Sequence, residues 1–179
     1  MALVLGTNCG FVTVAPVADP NGSNVGGDSA ARAHKCTTPA GISKITEVGW
    51  WHDDYTAGPY QLCLYSHNAG TDLPDALLYS TDQANCGSAP GWEVDEVDWD
   101  VGPETVYWLA LQIDGVTGDV RYDYEATGGR ASIDVAISAP QNPWVNDAIL
   151  EYILAIYGVV SEAAGGVFVP HYYQKLLAG

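Results

Sequence analysis

The sequence predicts an all-β sandwich, on three observations. Several segments alternate strictly: Gln61, Cys63 and Tyr65 oppose Leu62 and Leu64, and Tyr107, Leu109, Leu111 and Ile113 oppose Trp108, Ala110 and Gln112. That period of two is what a half-buried strand requires. Turn residues recur at spacings of roughly 8–12 residues, the rhythm of short antiparallel strands. Finally, 20 Gly and 10 Pro are spread through a chain with no long helical period.

The elements follow in order. Phe11–Ala15 is a short apolar strand, either an arm reaching over a neighbour or an ordinary edge strand, and Asp19–Asp28 is a loop rich in residues that start turns or accept positive φ. Strands are expected at 29–37 and 42–52, flanking the Thr38-Pro39-Ala40-Gly41 turn, then at 60–66 and 76–81. In 92–101 the apolar register changes, because Trp92 and Val94 share one parity while Val97, Trp99 and Val101 share the other. A β-bulge near Asp95-Glu96 would reunite them on one face. Strands at 105–114, 120–125 and 131–137 come next. Ala148–Val160 could also serve a helix, but it reads as one closing, central strand, since Leu150, Tyr152, Leu154 and Ile156 form an apolar face and the run is rich in β-branched and aromatic residues. Residues 161–179 differ in kind, with a hinge at Ala163-Ala164-Gly165-Gly166 before an apolar, aromatic tail. The expected organisation is an N-terminal arm and loop over 1–28, a sandwich domain over 29–160 and a hinged tail over 161–179.

A chain of 179 residues, 47% hydrophobic and with 6 Trp and 11 Tyr, is long enough for one two-layer core. Lys plus Arg number 6 against 22 Asp plus Glu, a net charge of −16. That surface repels phosphate backbones and anionic lipids, so neither nucleic acid nor membrane is an expected partner. It also keeps a concentrated protein soluble, or it binds cations. Met1–Gly6 has neither a basic region nor a long apolar core, so no secretory signal is expected, and synthesis in a cytoplasm is. Cys9, Cys36, Cys63 and Cys86 include no C-x-x-C pair; they are either buried thiols or two disulfides.

Three clusters offer chemistry. Glu96, Asp98 and Asp100 share a strand face, where carboxylates repel unless solvated, protonated or bridged by a cation such as Ca²⁺. Asp114, Asp119 and Asp123 form a second acidic group. Trp50 and Trp51, beside His52-Asp53-Asp54, offer a sugar-stacking platform, although adjacent residues on a strand face opposite ways and one of the two then belongs to the core. No G-x-S-x-G elbow and no H-E-x-x-H is present, and the sequence points to no enzyme and no obligatory cofactor.

Leu5–Ala15, Ile45–Trp51, Leu64-Tyr65-Ser66, Gly91-Trp92 and Tyr107–Gln112 together resemble the jelly-roll β-sandwich proteins of tailed-phage virions, over residues 5–160. The resemblance implies a jelly-roll-like antiparallel sandwich with extended N- and C-terminal arms and a structural role. That role is a capsid decoration (cement) protein, or a tail or fibre module, located in the virion and contacting the major capsid or tail protein. Such proteins self-associate about a symmetry axis, with a trimer as the leading expectation. The apolar tail, which lies outside the resemblance, is expected to dock either on the body of its own domain or on a neighbouring subunit, where Phe168, His171, Tyr172, Tyr173, Leu176 and Leu177 would be the interface. The competing class is a carbohydrate-binding sandwich module, Ca²⁺-dependent or not, on a phage appendage or a secreted protein.

Overall fold

The computed structural model describes residues 2–26, 30–52, 59–87, 89–113, 119–124, 131–135 and 139–162. Every regular element among them is a strand. The first seven are β1 (Gly10–Val12), β2 (Ser23–Gly26), β3 (Ala30–Thr37), β4 (Ile42–His52), β5 (Pro59–Asn68), β6 (Leu73–Ser80) and β7 (Ala84–Asn85). Next come β8 (Gly91–Asp100), β9 (Val106–Ile113), β10 (Asp119–Tyr124) and β11 (Ala131–Val135). The last three are β12 (Ala148–Leu150), β13 (Tyr152–Leu154) and β14 (Ile156–Glu162).

These strands form two sheets. In sheet 1, β4 lies between β8 and β14, and β1 adds to β14 as a parallel edge strand. At the His52 end of β4 its neighbour is β10, which also pairs with β13 and β2. Sheet 2 runs β12-β11-β3-β9-β5-β6, with β7 on the far end of β5. All pairings but β1–β14 are antiparallel. The protein is an all-β sandwich, as its alternation predicts.

The main core lies between the sheets. Ile42, Ile45, Val48, Trp50 and Trp99 come from sheet 1 and meet Leu62, Leu64, Leu109, Leu111 and Ile113 from sheet 2. β9 carries its alternation as read from the sequence, with Leu109, Leu111 and Ile113 inward and Trp108 and Ala110 outward. Both faces of β9 are nevertheless buried, because the segment before β12 is strapped over the outside of sheet 2. Trp144 packs edge-on to Tyr65 at 5.0 Å. The Trp144 N–H donates to the Asp75 carbonyl, and the Tyr65 hydroxyl donates to the Gln141 carbonyl.

Three expectations need correction. First, Ala148–Val160 is not one strand. β12 belongs to sheet 2, whereas β13 and β14 belong to sheet 1, so the chain changes sheets at exposed Glu151. Leu154 and Ile156 do face the main core, but Ile153 and Ala155 are buried on the opposite side of sheet 1. Only the final piece, β14, is central, between β1 and β4.

Second, a register shift does fall close to Asp95-Glu96, between the Ile45–Trp99 and Glu47–Glu96 pairs, but it does not bring Trp92 and Val94 to the core. Glu93, Asp95, Val97 and Trp99 alternate inward without a break, and Trp92 packs outside on Trp51. The face change sits in β4, where Thr46 is the extra residue against β14. Ile45 and Val48, three apart, are both inward for that reason, and a second register shift, at Ser43 against β14, brings Ile42 inward as well.

Third, the described N-terminal residues fold back instead of projecting. Leu3 and Cys9 pack on Trp51, Ile153 and Ala155, while Phe11 enters the main core. A tight turn holds this segment: Gly6 at φ 76° donates to the Cys9 carbonyl, and the Asn8 carboxamide oxygen accepts from the Val4 N–H. Ser23–Gly26, expected in a loop, pairs with β10 as a strand.

Candidate functional site

The outer face of sheet 1 gathers most of the side chains that carry chemistry. Three strands supply it in register. Tyr157, Gly49 and Val94 lie side by side across β14, β4 and β8, and Val159, Glu47 and Glu96 form the next row. Trp51 and Trp92 pair on the other side of the Gly49 row. Gly49 is required here: a Cβ would lie 2.6 Å from the Tyr157 ring, which covers the space a side chain would take. The Trp92 ring meets Trp51 edge-on at 5.5 Å and Tyr157 at 5.1 Å.

Carboxylates border this aromatic cluster. The Tyr157 hydroxyl donates to Glu47 Oε1 at 2.7 Å. Burial, and then the Glu47 carboxylate, push the Tyr157 hydroxyl's pKa up, so it is a neutral donor. Glu47 stands directly opposite Glu96 in the ladder, an arrangement that like charges disfavour. The Trp92 indole N–H donates to the Ala18 carbonyl of the extended segment 13–20, which crosses this face between β1 and β2.

The sequence-based candidates land as follows. Trp50 points into the core, 1% exposed, against Tyr60 and His52. Trp51, 9% exposed, lies under Leu3 and Trp92. Neither ring is open to stack on a sugar, because core packing takes one and the folded-back N-terminus covers the other. Trp92, half-buried, is the ring of this cluster nearest to solvent. Its parity differs from that of Val97 and Trp99, which point inward, so Trp92 faces outward.

Glu96, Asp98 and Asp100 do share the exposed face of β8. Lys44, from β4, reaches both aspartates: its ammonium hydrogen-bonds Asp98 Oδ1 and lies 3.4 Å from Asp100 Oδ1. The position between these two carboxylates therefore already holds a positive charge. Among the described residues, no three or more His, Cys, Asp or Glu side chains are arranged to hold a metal ion. Asp114 and the interface candidates Phe168, His171, Tyr172, Tyr173, Leu176 and Leu177 lie outside the described residues.

A second group lines the mouth between the sheets. His52 Nε2 approaches Glu93 Oε1 at 3.1 Å, and the same oxygen accepts the Gly87 N–H at 2.6 Å. The Tyr60 hydroxyl, from sheet 2, donates to Asp95 Oδ2 of sheet 1 at 3.3 Å. Burial raises the Asp95 pKa, against the Tyr60 hydrogen bond that lowers it. Each carboxylate has a protein donor, and the Tyr60–Asp95 bond ties one sheet to the other.

Cys9, Cys36 and Cys63 are free thiols, and all three are buried. Burial pushes the Cys9 thiol up to about 12 and raises Cys36 and Cys63 as well, so these sulfurs stay protonated and are poor nucleophiles.

The arrangement defines a β-sandwich protein whose sheet faces are covered by its own strap and N-terminal segment. Comparison with family models, curated proteins and solved structures gives no significant match.

Proposed function

We propose that this chain is a non-enzymatic structural protein of a tailed-phage virion, a capsid decoration protein that self-associates and binds the particle surface. The observation that carries this reading is the segment 13–20, laid over the outside of sheet 1. It presents Val14 and Val17 to solvent, 74% and 92% exposed, on the face that also carries Val94 at 46%. Exposed aliphatic groups gathered on one face suit contact with another protein. The acidic outer edge of β8 complements this, since rows of carboxylates prevent indiscriminate edge-to-edge pairing. Sequence resemblance supplies the virion setting, and net charge −16 suits a protein packed at high copy number. The purified protein is expected to sediment as a closed oligomer, and Val17→Asp to shift it towards monomer. A wild-type chain that remains monomeric alone and with capsid or tail protein would remove the reading.

The Trp92–Tyr157–Glu47 cluster favours a second reading, a carbohydrate-binding module. A half-buried aromatic ring packed on Tyr157, whose hydroxyl donates to Glu47, offers one stacking surface and, at Glu47, a hydrogen-bond acceptor for hydroxyl groups. Specific retention on a glycan array, lost in Trp92→Ala but kept in Val17→Asp, is the result expected of it. Binding that survives Trp92→Ala would place any sugar elsewhere.

A further inference from the structure

β8 leaves a long strand edge open. It runs for 10 residues, and among the described residues its one strand neighbour is β4. At one end the Val101 N–H donates to the Ser43 carbonyl of β4. At the other, Trp51 of β4 turns its N–H away from β8 to the Ala155 carbonyl, so its partner Trp92 turns away from β4. Backbone direction alternates along a strand, and both ends therefore agree: Val94, Glu96, Asp98 and Asp100 aim their N–H and C=O groups at the open side. Such a row is a template for another strand. The chain treats the adjacent edge differently. β6 lies on the same flank of the sandwich, where Tyr79 stacks on Trp99 at 5.5 Å. There the strap closes the edge: the Leu77 N–H donates to Asn142 Oδ1 at 3.2 Å, and the Asp75 carbonyl accepts the Trp144 N–H at 2.9 Å. The end strands β1, β12 and β13 have only three residues each.

We infer that the β8 edge takes up, as an added strand, an extended segment of another protein with Lys or Arg at every second position. The residues that aim their backbone at the open side also carry the carboxylates. Even with Lys44 beside them, the Asp98 and Asp100 side chains are 77% and 79% exposed. Lys44 shows the pairing these groups accept, since it stands opposite Asp100 on the adjacent strand and reaches both aspartates from that side. A Lys on an added strand would meet them from the other side in the same cross-strand manner. Neither this chain nor a second copy can supply the segment. Its Lys and Arg residues, Arg32, Lys35, Lys44, Arg121, Arg130 and Lys175, are nowhere two apart. Pairing β8 with the β8 of a second copy would also set like charges together. Main-chain hydrogen bonds then give the affinity, and the alternate charges give the selectivity. This inference stands apart from the assembly reading, which rests on segment 13–20.

The test uses the full chain and a peptide as long as β8 that alternates Lys and Thr, with NMR reading the β8 amides. Saturable binding is expected, with the Glu96, Asp98 and Asp100 amides becoming protected from solvent exchange. Methylating the peptide's backbone nitrogens keeps every charge but removes the donors, and should weaken binding about tenfold or more. Glu96→Gln and Asp98→Asn should each weaken it about two- to fivefold, as exposed ion pairs do. Val17→Asp should leave it unchanged, so this inference and the assembly reading fail separately. Equal binding of the methylated peptide would overturn the inference, leaving only diffuse attraction to an acidic surface. So would no binding at all, or binding lost in Val17→Asp, which would place the peptide on segment 13–20.

Discussion

Lowering the pH from 6.5 to 4 is expected to cost the folded protein about 3 kcal/mol through His34 alone. His34 projects from β3 into the space between the sheets and is 0% exposed. Its Nδ1 accepts the Leu154 N–H at 3.0 Å, so the ring must be the Nε2–H tautomer, and that N–H has no hydrogen-bond partner. Its cross-strand neighbours are Leu109 and Ala131, neither of them ionisable. Burial is the cause that lowers its pKa from 6.5 to about 4. The sign follows from proton counts. Above pH 6.5 both folded and unfolded chains carry neutral His34, and nothing changes. Between 6.5 and 4 the unfolded chain binds a proton that the folded chain refuses, so stability falls as pH falls; below 4 both states are protonated and the slope ends. Protonation would also replace the acceptor for Leu154 with a second donor, at the point where the chain has just crossed between sheets. Asp95, with its pKa raised by burial, contributes in the opposite sense, so the comparison must be with His34→Gln. Urea unfolding of the two proteins across this range should show a steeper pH dependence for wild type, and a His34 NMR titration midpoint between 6 and 7 would defeat the account.

Trp50→Ala is expected to destabilise the protein by about 4 kcal/mol, a large part of the stability of a typical domain. The indole is enclosed by Tyr60 at 5.4 Å and His52 at 5.7 Å within the main core, so truncation leaves a cavity between the sheets. Trp50→Phe separates packing from polarity. The Trp50 indole N–H is buried without a hydrogen-bond partner, so Phe removes an unsatisfied donor while keeping an aromatic ring. Its cost should be less than half that of Ala. Chemical denaturation of both variants checks this: equal losses would show that the indole N–H contributes a bond. A surface sugar platform at Trp50 would instead predict little loss of stability from either change.

Strand alternation was legible wherever one strand keeps one pair of faces. Leu62 and Leu64, and Leu109, Leu111 and Ile113, point inward as their spacing demands. The acidic face of β8 was equally plain, because charged residues on an edge strand remain in water. Its relation to Lys44 was not, since that contact joins positions 54 residues apart. Trp51 and Trp92 show the same limit: each is an aromatic residue on the outward parity, and only the N-terminal residues that fold over them make that parity a second core. The 148–160 run misled because it is apolar on both parities, which one strand buried on both faces and three short strands changing sheets satisfy equally well.

Composition and periodicity by themselves determined the all-β class, the central alternating strands and the strongly acidic surface. Those properties follow from residues adjacent in sequence, whose side chains must point to opposite sides of a pleated ribbon. Which face each ribbon buries, where β4 breaks step at Thr46, and that His34, Trp50 and Tyr157 are enclosed were decided only by the tertiary structure. The reason is that burial depends on what another part of the chain lays over a surface, and local alternation carries no information about that partner.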